Sequence, residues 1–574
     1  MTFLYISNLL TVLIFLGYGN FINSLIFNEN RAVKIQIFDI FYGVIYLSFI
    51  AILINFFFPL NKFINSLLIL FGIIISIRVF INLKNFTEAI KICFYVASIS
   101  FIIMLLAHSN RPDAGLYHLP FISILNENKI IFGISNIHFR FAHTSILQYI
   151  SAVFNNYLFL DKGVSLPISI ILSSLLFNFY KNFKLNSKNN FFLIFNFLIS
   201  SFTILKVSRY NDIGNDSIGH LFFFLIIWYF LWCISKSKND YKSFYVLSLF
   251  SIFAFANKIF LIFAFVFPIF FLIWTNKYKY LIEKKTVILL FLLLCIFIKN
   301  IIISSCIIYP IKTSCISSFS WSSVDKKTHS DPVIRSIEGE AAAKGWATYK
   351  GKGGEISYSK YNKNFTWLEN WKETHLIYTL KKILPLFLLI IFILSVFIFR
   401  EKFKSFKLTN KDELFFKSII LSLLVGIFGT IYWFLSFPIY RYGYSLFVSM
   451  IILVMSFTMN FYFSDKNKIG IKKIFEKCLI FFIIFVAIQN LIRISNNIKT
   501  DYKDYPWPKI YAFDERNLLQ KNTVLYSFKD FNIYKPNYRL CMYSNSPCTH
   551  FSNIKTQIDI KKKGNYIVIF PRKN

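Results

Sequence analysis

The sequence predicts an all-α polytopic membrane protein of about fourteen spans, followed by a small α/β module at the C-terminal end. Three observations predict it. Of the 574 residues, 56% are hydrophobic and 20% aromatic. Apolar runs of roughly 20 residues recur, each long enough to cross about 30 Å of hydrocarbon. The formal charge of +35 is concentrated in short segments between those runs, as expected for the cytoplasmic connections of a multispanning chain. No basic patch interleaved with aromatics stands on a soluble domain, so the lipid bilayer is the expected partner and nucleic acid is not. Residues 1–8 lack a basic n-region and no small-residue cleavage site follows, so no cleavable signal peptide is expected.

Spans are expected near 3–26, 37–59, 63–83, 89–107, 163–180, 190–206, 218–235, 244–257, 259–275, 286–305, 378–399, 415–436, 443–463 and 474–494. The amphipathic stretch 144–158 is expected to lie in the interface plane. Charge supports this choice. With 108–143 outside, the basic connections 27–36, 181–189, 236–243, 276–285, 400–411 and 464–473 all fall on one side. A further crossing at 144–158 would split them between two faces.

The opposite face then holds two large loops, 108–143 and 306–376, the turns 207–217 and 437–442, and the tail. The chain divides into a transmembrane domain, 1–495, and an extracytoplasmic module, 496–574. In the module a helix is expected near 511–521 and strands at TVLYSF and NYIVIF. Loop 306–376 carries Trp321, Trp346, Trp367 and Trp371 and a Gly-rich stretch at 350–354. It reads as a mobile loop able to close over a substrate, and its GKGG lacks the spacing of a phosphate-binding loop. Cys93, Cys233, Cys295 and Cys478 sit in or beside apolar runs as small hydrophobes. Cys306 with Cys315, and Cys541 with Cys548, bracket short polar loops and are expected to form disulfides worth about 2–3 kcal/mol each.

The candidate site begins at Asp113, in a polar stretch that interrupts the apolar N-terminal third. A carboxylate at the centre of a spanning helix costs about 2.5–3.5 kcal/mol, so an acidic residue near a bilayer is expected to face water, a partner or a substrate. Asp113 follows Pro112 and also reads as a helix N-cap. Its company favours chemistry: Tyr117 lies one helical turn away, Arg111 and His118 flank it, and Arg140 shares the loop. A carboxylate so placed can act as general base towards a hydroxyl. Asp212 and Asp216, one turn apart, can bind a divalent cation or hold a basic side chain, with capping as the plain reading of Asp216. Lys258 interrupts the apolar run 244–274 and is expected at the tip of a helical hairpin, either snorkelling or contacting a phosphate. Arg441, between tyrosines in FPIYRYGYS, offers a planar fork suited to phosphate.

These residues form an ordered series. It runs Asp113 with YHLP, then G-x-x-N-x-H-x-R-F (Gly133, Asn136, His138, Arg140, Phe141), an Asp-bearing turn with GND ending at Asp216, Tyr309-Pro310, and P-x-x-R-[FY]-G (Pro438, Arg441, Tyr442, Gly443). Over roughly residues 90–460 the series resembles the GT-C glycosyltransferase superfamily, which includes protein mannosyltransferases and lipid A aminoarabinose transferases. The resemblance implies a GT-C-like helix bundle in a bacterial inner (cytoplasmic) membrane, with its active face extracytoplasmic. It implies a polyprenyl-phosphate-linked sugar as donor and a glycan, lipid or protein as acceptor. Asp113 then matches the catalytic acidic residue of the first outer loop, Asp212 or Asp216 the second acidic position, and Arg441 and Lys258 the contacts to the carrier phosphate. The chain departs from the best-known members by three additional spans before the loop and by the lack of a D-E or E-x-D pair in it. Two other functions fit a chain of this kind. An O-antigen-type polymerase would rely on outer-loop arginines without requiring Asp113, and a lipid or polysaccharide transporter (flippase) would show internal repeats and charges at mid-membrane.

Overall fold

A computed structural model of the chain describes residues 1–28, 35–107, 112–185, 190–206, 213–214, 216–349, 356–363, 365–398, 410–462, 468–499, 504–511, 523–529, 531–537, 540–551 and 553–572. Helices α1 (Thr2–Phe27), α2 (Ile37–Phe57), α3 (Lys62–Ile81) and α4 (Phe86–Leu106) precede the first long connection, which contains α5 (Leu119–Glu127) and α6 (Ile146–Val153). Then come α7 (Leu166–Leu185), α8 (Asn190–Leu205), α9 (Asp216–Ser235), α10 (Tyr241–Asn257), α11 (Val266–Thr275) and α12 (Thr286–Ser304). The second long connection holds α13 (Pro332–Ala343), α14 (Tyr358–Asn362) and α15 (Leu368–Trp371). Four helices follow: α16 (Ile377–Ile398), α17 (Asn410–Ser436), α18 (Tyr440–Tyr462) and α19 (Lys468–Ile498). Among the described residues, eleven helical segments are long and apolar enough to cross a membrane, and two apolar segments, Asn190–Leu205 and Ile259–Thr275, are shorter.

Close backbone packing starts the bundle. A β-carbon on Gly19 would lie 1.8 Å from the Asp39 carbonyl oxygen, and one on Gly43 would lie 1.9 Å from that of Phe15. Only glycine lets α1 and α2 approach so nearly, which is how helices gain contact where lipid supplies no hydrophobic drive. At the rim, α19 leaves Phe481, Phe485, Ile488 and Leu491 exposed, an apolar surface suited to lipid.

The two ends of the bundle differ. At one end, Lys181 pairs with Glu88. The Lys472 ammonium donates to the Lys184 carbonyl at 3.0 Å, Tyr280 to the Asn239 carbonyl at 2.7 Å, and Lys285 sits 5.1 Å from the Phe27 ring. The opposite end carries the polar segments. There the chain reverses at Lys258: the Ser251 hydroxyl reaches the Ala264 carbonyl at 3.0 Å, so α10 and the segment leading into α11 form the hairpin expected around that lysine.

Two expectations need correction. Every residue of α6 is buried, so this eight-residue helix packs within the protein on all sides instead of laying one face on lipid. It is too short to span; Ser145 caps it and Gln148 reaches back to the Ser145 amide at 2.9 Å, while the buried hydroxyls of Tyr149 and Ser151 find no hydrogen-bond partner. Loop 306–376 is not a mobile strap over its described residues. Trp367 and Trp371 are buried, the Trp371 indole donates to the Pro438 carbonyl at 2.7 Å, and a disulfide joins Cys306 and Cys315. The Gly-rich part, 350–354, lies outside the described residues.

The tail contributes β1 (Thr523–Phe528) paired antiparallel with β2 (Phe531–Lys535), and β3 (Ile558–Lys563) with β4 (Tyr566–Pro571), plus the four-residue helix α20 (Ile554–Gln557). TVLYSF and NYIVIF are therefore strands in separate hairpins, and the helix expected at 511–521 falls almost wholly outside the described residues. Cys541 is bonded to Cys548. Asn136 ties the layers together: its amide donates to the carbonyls of Trp321 at 2.9 Å and Ile569 at 3.0 Å, while its Oδ1 accepts from Ser330 at 2.8 Å. One further bond matters for the site, from the Met542 amide to the Gly115 carbonyl at 2.8 Å.

Gly133 has φ +66°, and a β-carbon there would fall 2.4 Å from the Ile569 carbonyl oxygen. Gly133→Ala should therefore destabilise the docked tail by about 1–3 kcal/mol. The expected readout is a lower melting temperature in detergent together with faster proteolytic cleavage within 499–572.

Candidate functional site

Asp113 opens a π-helical turn, Ala114–His118, that runs straight into α5. Its backbone is already helical and its side chain makes no capping bond, so the plain N-cap reading does not hold. The carboxylate instead spans two guanidinium groups. Oδ1 accepts from Arg140 Nη1 at 2.9 Å and Oδ2 from Arg441 Nη1 at 2.5 Å. Arg140 comes from the 3-10 turn Phe139–His143, where the His138 Nδ1 accepts the Arg140 amide at 3.1 Å. Arg441 comes from the first turn of α18, and its Nη2 donates to the Tyr442 hydroxyl at 3.1 Å.

The second ion pair touches the first. Lys258, at the hairpin tip, pairs with Asp216 at the start of α9, donates to the Arg441 carbonyl at 3.2 Å and lies 4.6 Å from the Tyr442 ring centre. One turn along α9, the His220 Nε2 faces the same Arg441 carbonyl at 2.9 Å, and its Nδ1 faces the Ser445 hydroxyl at 2.6 Å. A carbonyl only accepts, so Nε2 carries the proton and Nδ1 accepts from Ser445. The loop, the hairpin tip and the ends of α9 and α18 thus meet around one arginine.

Electrostatics follow from this geometry. Burial pushes the Asp113 pKa up, but the Arg441 and Arg140 guanidinium groups outweigh it and hold the carboxyl below its ordinary value. It is anionic at neutral pH. Burial pulls His118 down to about 4, so this imidazole is neutral, and its Nδ1 accepts from the Gln148 amide at 3.0 Å. Arg140 lies 5.2 Å from the Tyr117 ring centre. Two carboxylates, Asp113 and Asp216, face three cations, Arg140, Lys258 and Arg441. Among the described residues the cluster therefore carries one positive charge in excess.

Of the side chains singled out from sequence, Asp113, Tyr117, Arg140, Asp216, Lys258 and Arg441 come together directly, and His118 stands at the edge against Gln148. Arg111 and Asp212 lie outside the described residues. Asp216 reaches a lysine, and among the described residues no group of three His, Cys, Asp or Glu side chains is placed to hold a metal ion. Sequence reasoning missed His220 and Ser445. For His220 a signal existed: it is an ionisable residue four positions after Asp216 in an apolar helix, the criterion that had singled out Asp113.

A family model described as Domain of unknown function (DUF8201) matches residues 1–448, and the chain belongs to that family. The match contains every member of the charge cluster and leaves the tail outside. No curated protein and no solved structure matches the chain.

Two outcomes follow for the ion pairs. Lys258→Met strands a largely buried Asp216 and should cost about 3 kcal/mol, whereas Lys258→Met with Asp216→Asn should recover most of it; melting temperatures of the three proteins in nanodiscs decide. Because the folded pKa of Asp113 is lowered, its contribution is complete above the unfolded value of about 3.9 and is lost as pH falls through the folded value. The stability difference between wild type and Asp113→Asn should be flat from about pH 8 to 5 and shrink below about pH 4.

Proposed function

We propose that this protein transfers a sugar from a polyprenyl-phosphate carrier to a glycan, lipid or protein acceptor on the extracytoplasmic face of a bacterial inner membrane. The observation that carries the reading is the convergence of Asp113, Arg140, Asp216, Lys258 and Arg441 at the end of the bundle away from the basic connections. A sugar phosphodiester has one negative charge, and the cluster has one positive charge to meet it. Guanidinium forks bind phosphate oxygens in pairs.

The ion pair between Asp113 and Arg441 gives the resting site a logic. With both carboxylate oxygens on arginines, Asp113 is a weak base, since a general base works best with a pKa near the ambient pH. An arriving phosphate competes for Arg441, and loss of that partner lets burial raise the Asp113 pKa. The acceptor O–H then attacks the anomeric carbon, its proton passes to Asp113, and the bond from that carbon to the phosphate oxygen breaks. The electron pair leaves on the phosphate, where Arg441 and Lys258 stabilise it. In-line displacement inverts the anomeric configuration.

The polymerase reading draws on the same observation, since Arg140 and Arg441 both reach the cluster; it differs in not needing Asp113. Nothing comparable favours a transporter, because the cluster of Asp113, Arg140, Asp216, Lys258 and Arg441 sits at one end of the bundle and not along a central path. The deciding experiment is mass spectrometry of envelope glycans and glycolipids from a deletion strain complemented at matched membrane levels. Asp113→Asn should reduce product by ~100-fold or more, as expected for loss of a general base, and Arg441→Gln should do so as well. Wild-type product from Asp113→Asn would remove the proposal; with Arg441→Gln still inactive, the polymerase reading would take its place.

A further inference from the structure

A cavity of about 400 Å³ lies apart from the charge cluster, where the start of α3, the end of α5, the residues after α6 and the disulfide-closed loop 541–548 meet. We propose that this cavity is a second, non-catalytic binding site for a neutral, hydroxyl-rich sugar.

Its walls are built. The Tyr543 hydroxyl accepts from Asn155 Nδ2 at 2.6 Å and donates to Asn126 Oδ1 at 2.9 Å. Asn126 is held in turn by bonds from its amide to the Leu60 carbonyl at 2.6 Å and the Ala152 carbonyl at 3.0 Å. The Tyr511 ring packs edge-on against Tyr543 at 6.0 Å between centres. On the rim, Glu127 takes one bond from the Ser123 hydroxyl at 3.0 Å and one from the Ser546 amide at 3.4 Å, which leaves part of its acceptor capacity open.

The lining selects the ligand class. Side-chain amides and tyrosine hydroxyls donate and accept within one small space, as sugar hydroxyls do. Aromatic faces suit the C–H side of a pyranose. An apolar ligand would take water from the part-open Glu127 carboxyl on the rim without replacing its hydrogen bonds, and a phosphate would meet that carboxyl. The volume falls within the ~300–1,000 Å³ usual for small-molecule sites. α5 links the two regions: Glu127 is fourteen residues from Asp113 along a nearly continuous helical path, about 20 Å at helical rise. The inference concerns binding alone and holds whether or not the cluster transfers sugar.

The test uses the full-length protein in nanodiscs and a panel of neutral di- and tetrasaccharides of gluco, galacto and manno configuration, with and without N-acetyl groups. Saturation-transfer NMR and thermal shift are the readouts, with inorganic phosphate as the anionic probe. At least one sugar should bind. Its affinity should fall ~10-fold in Glu127→Ala and in Tyr511→Ala, variants at the rim and wall that should keep the wild-type melting temperature to within a few degrees, and should not change in Asp113→Asn. If Tyr511→Ala fails to fold, Lys62→Met, at the exposed rim, serves as the second variant. The proposal is overturned if no sugar binds at ~10 mM, if phosphate binds there in place of sugar, or if binding responds to Asp113→Asn and not to Glu127→Ala.

Discussion

The ion pair between Asp113 and Arg441 joins positions 328 residues apart in sequence, and the arrangement of this end of the bundle depends on it. Charges at the margin of a low-dielectric region are tolerated when they are paired and hydrogen-bonded. Each of the five charged groups in the cluster has such a partner, and the partners come from different helices and loops. Satisfying Asp113 therefore requires α18 to start beside the π-helical turn. Satisfying Asp216 requires the α10–α11 hairpin to end beside α9. The Arg441 carbonyl, shared by Lys258 and His220, locks the two requirements together.

Much of this was legible from residue types and spacing. The cost of a carboxylate near lipid marked Asp113, and the interruption of a thirty-residue apolar run marked Lys258 as a turn. Short separations marked the two cysteine pairs that are bonded in the structure. What could not be read was pairing. Nothing local to Asp216 says that its partner is Lys258 and not a metal ion, and nothing in HFRFAH says that Arg140 turns towards Asp113. These are facts of tertiary packing. The burial of α6 escaped for a related reason: an amphipathic pattern states that one face is apolar, but not whether lipid or neighbouring helices cover it, nor that Ser145 and Gln148 would be satisfied inside.

The loop segments were misread more deeply than the bundle. Tryptophans and glycines in loop 306–376 look like a flexible strap because composition alone cannot show where an indole finds its acceptor. Once Trp371 reaches the Pro438 carbonyl and Asn136 bridges Trp321, Ser330 and Ile569, the two loops and the tail form one interlocked layer. Asn136 carries this role with a single side-chain amide. Three of its hydrogen-bonding positions are used, each towards a different stretch of chain.

The bond from the Met542 amide to the Gly115 carbonyl has a consequence for biogenesis. The turn that presents Asp113 is braced by a strip of polypeptide that leaves the ribosome more than four hundred residues later. The turn around Asp113 is therefore made long before the segment that braces it. A nascent chain halted before that point would carry its early helices yet lack the prop under its first carboxylate.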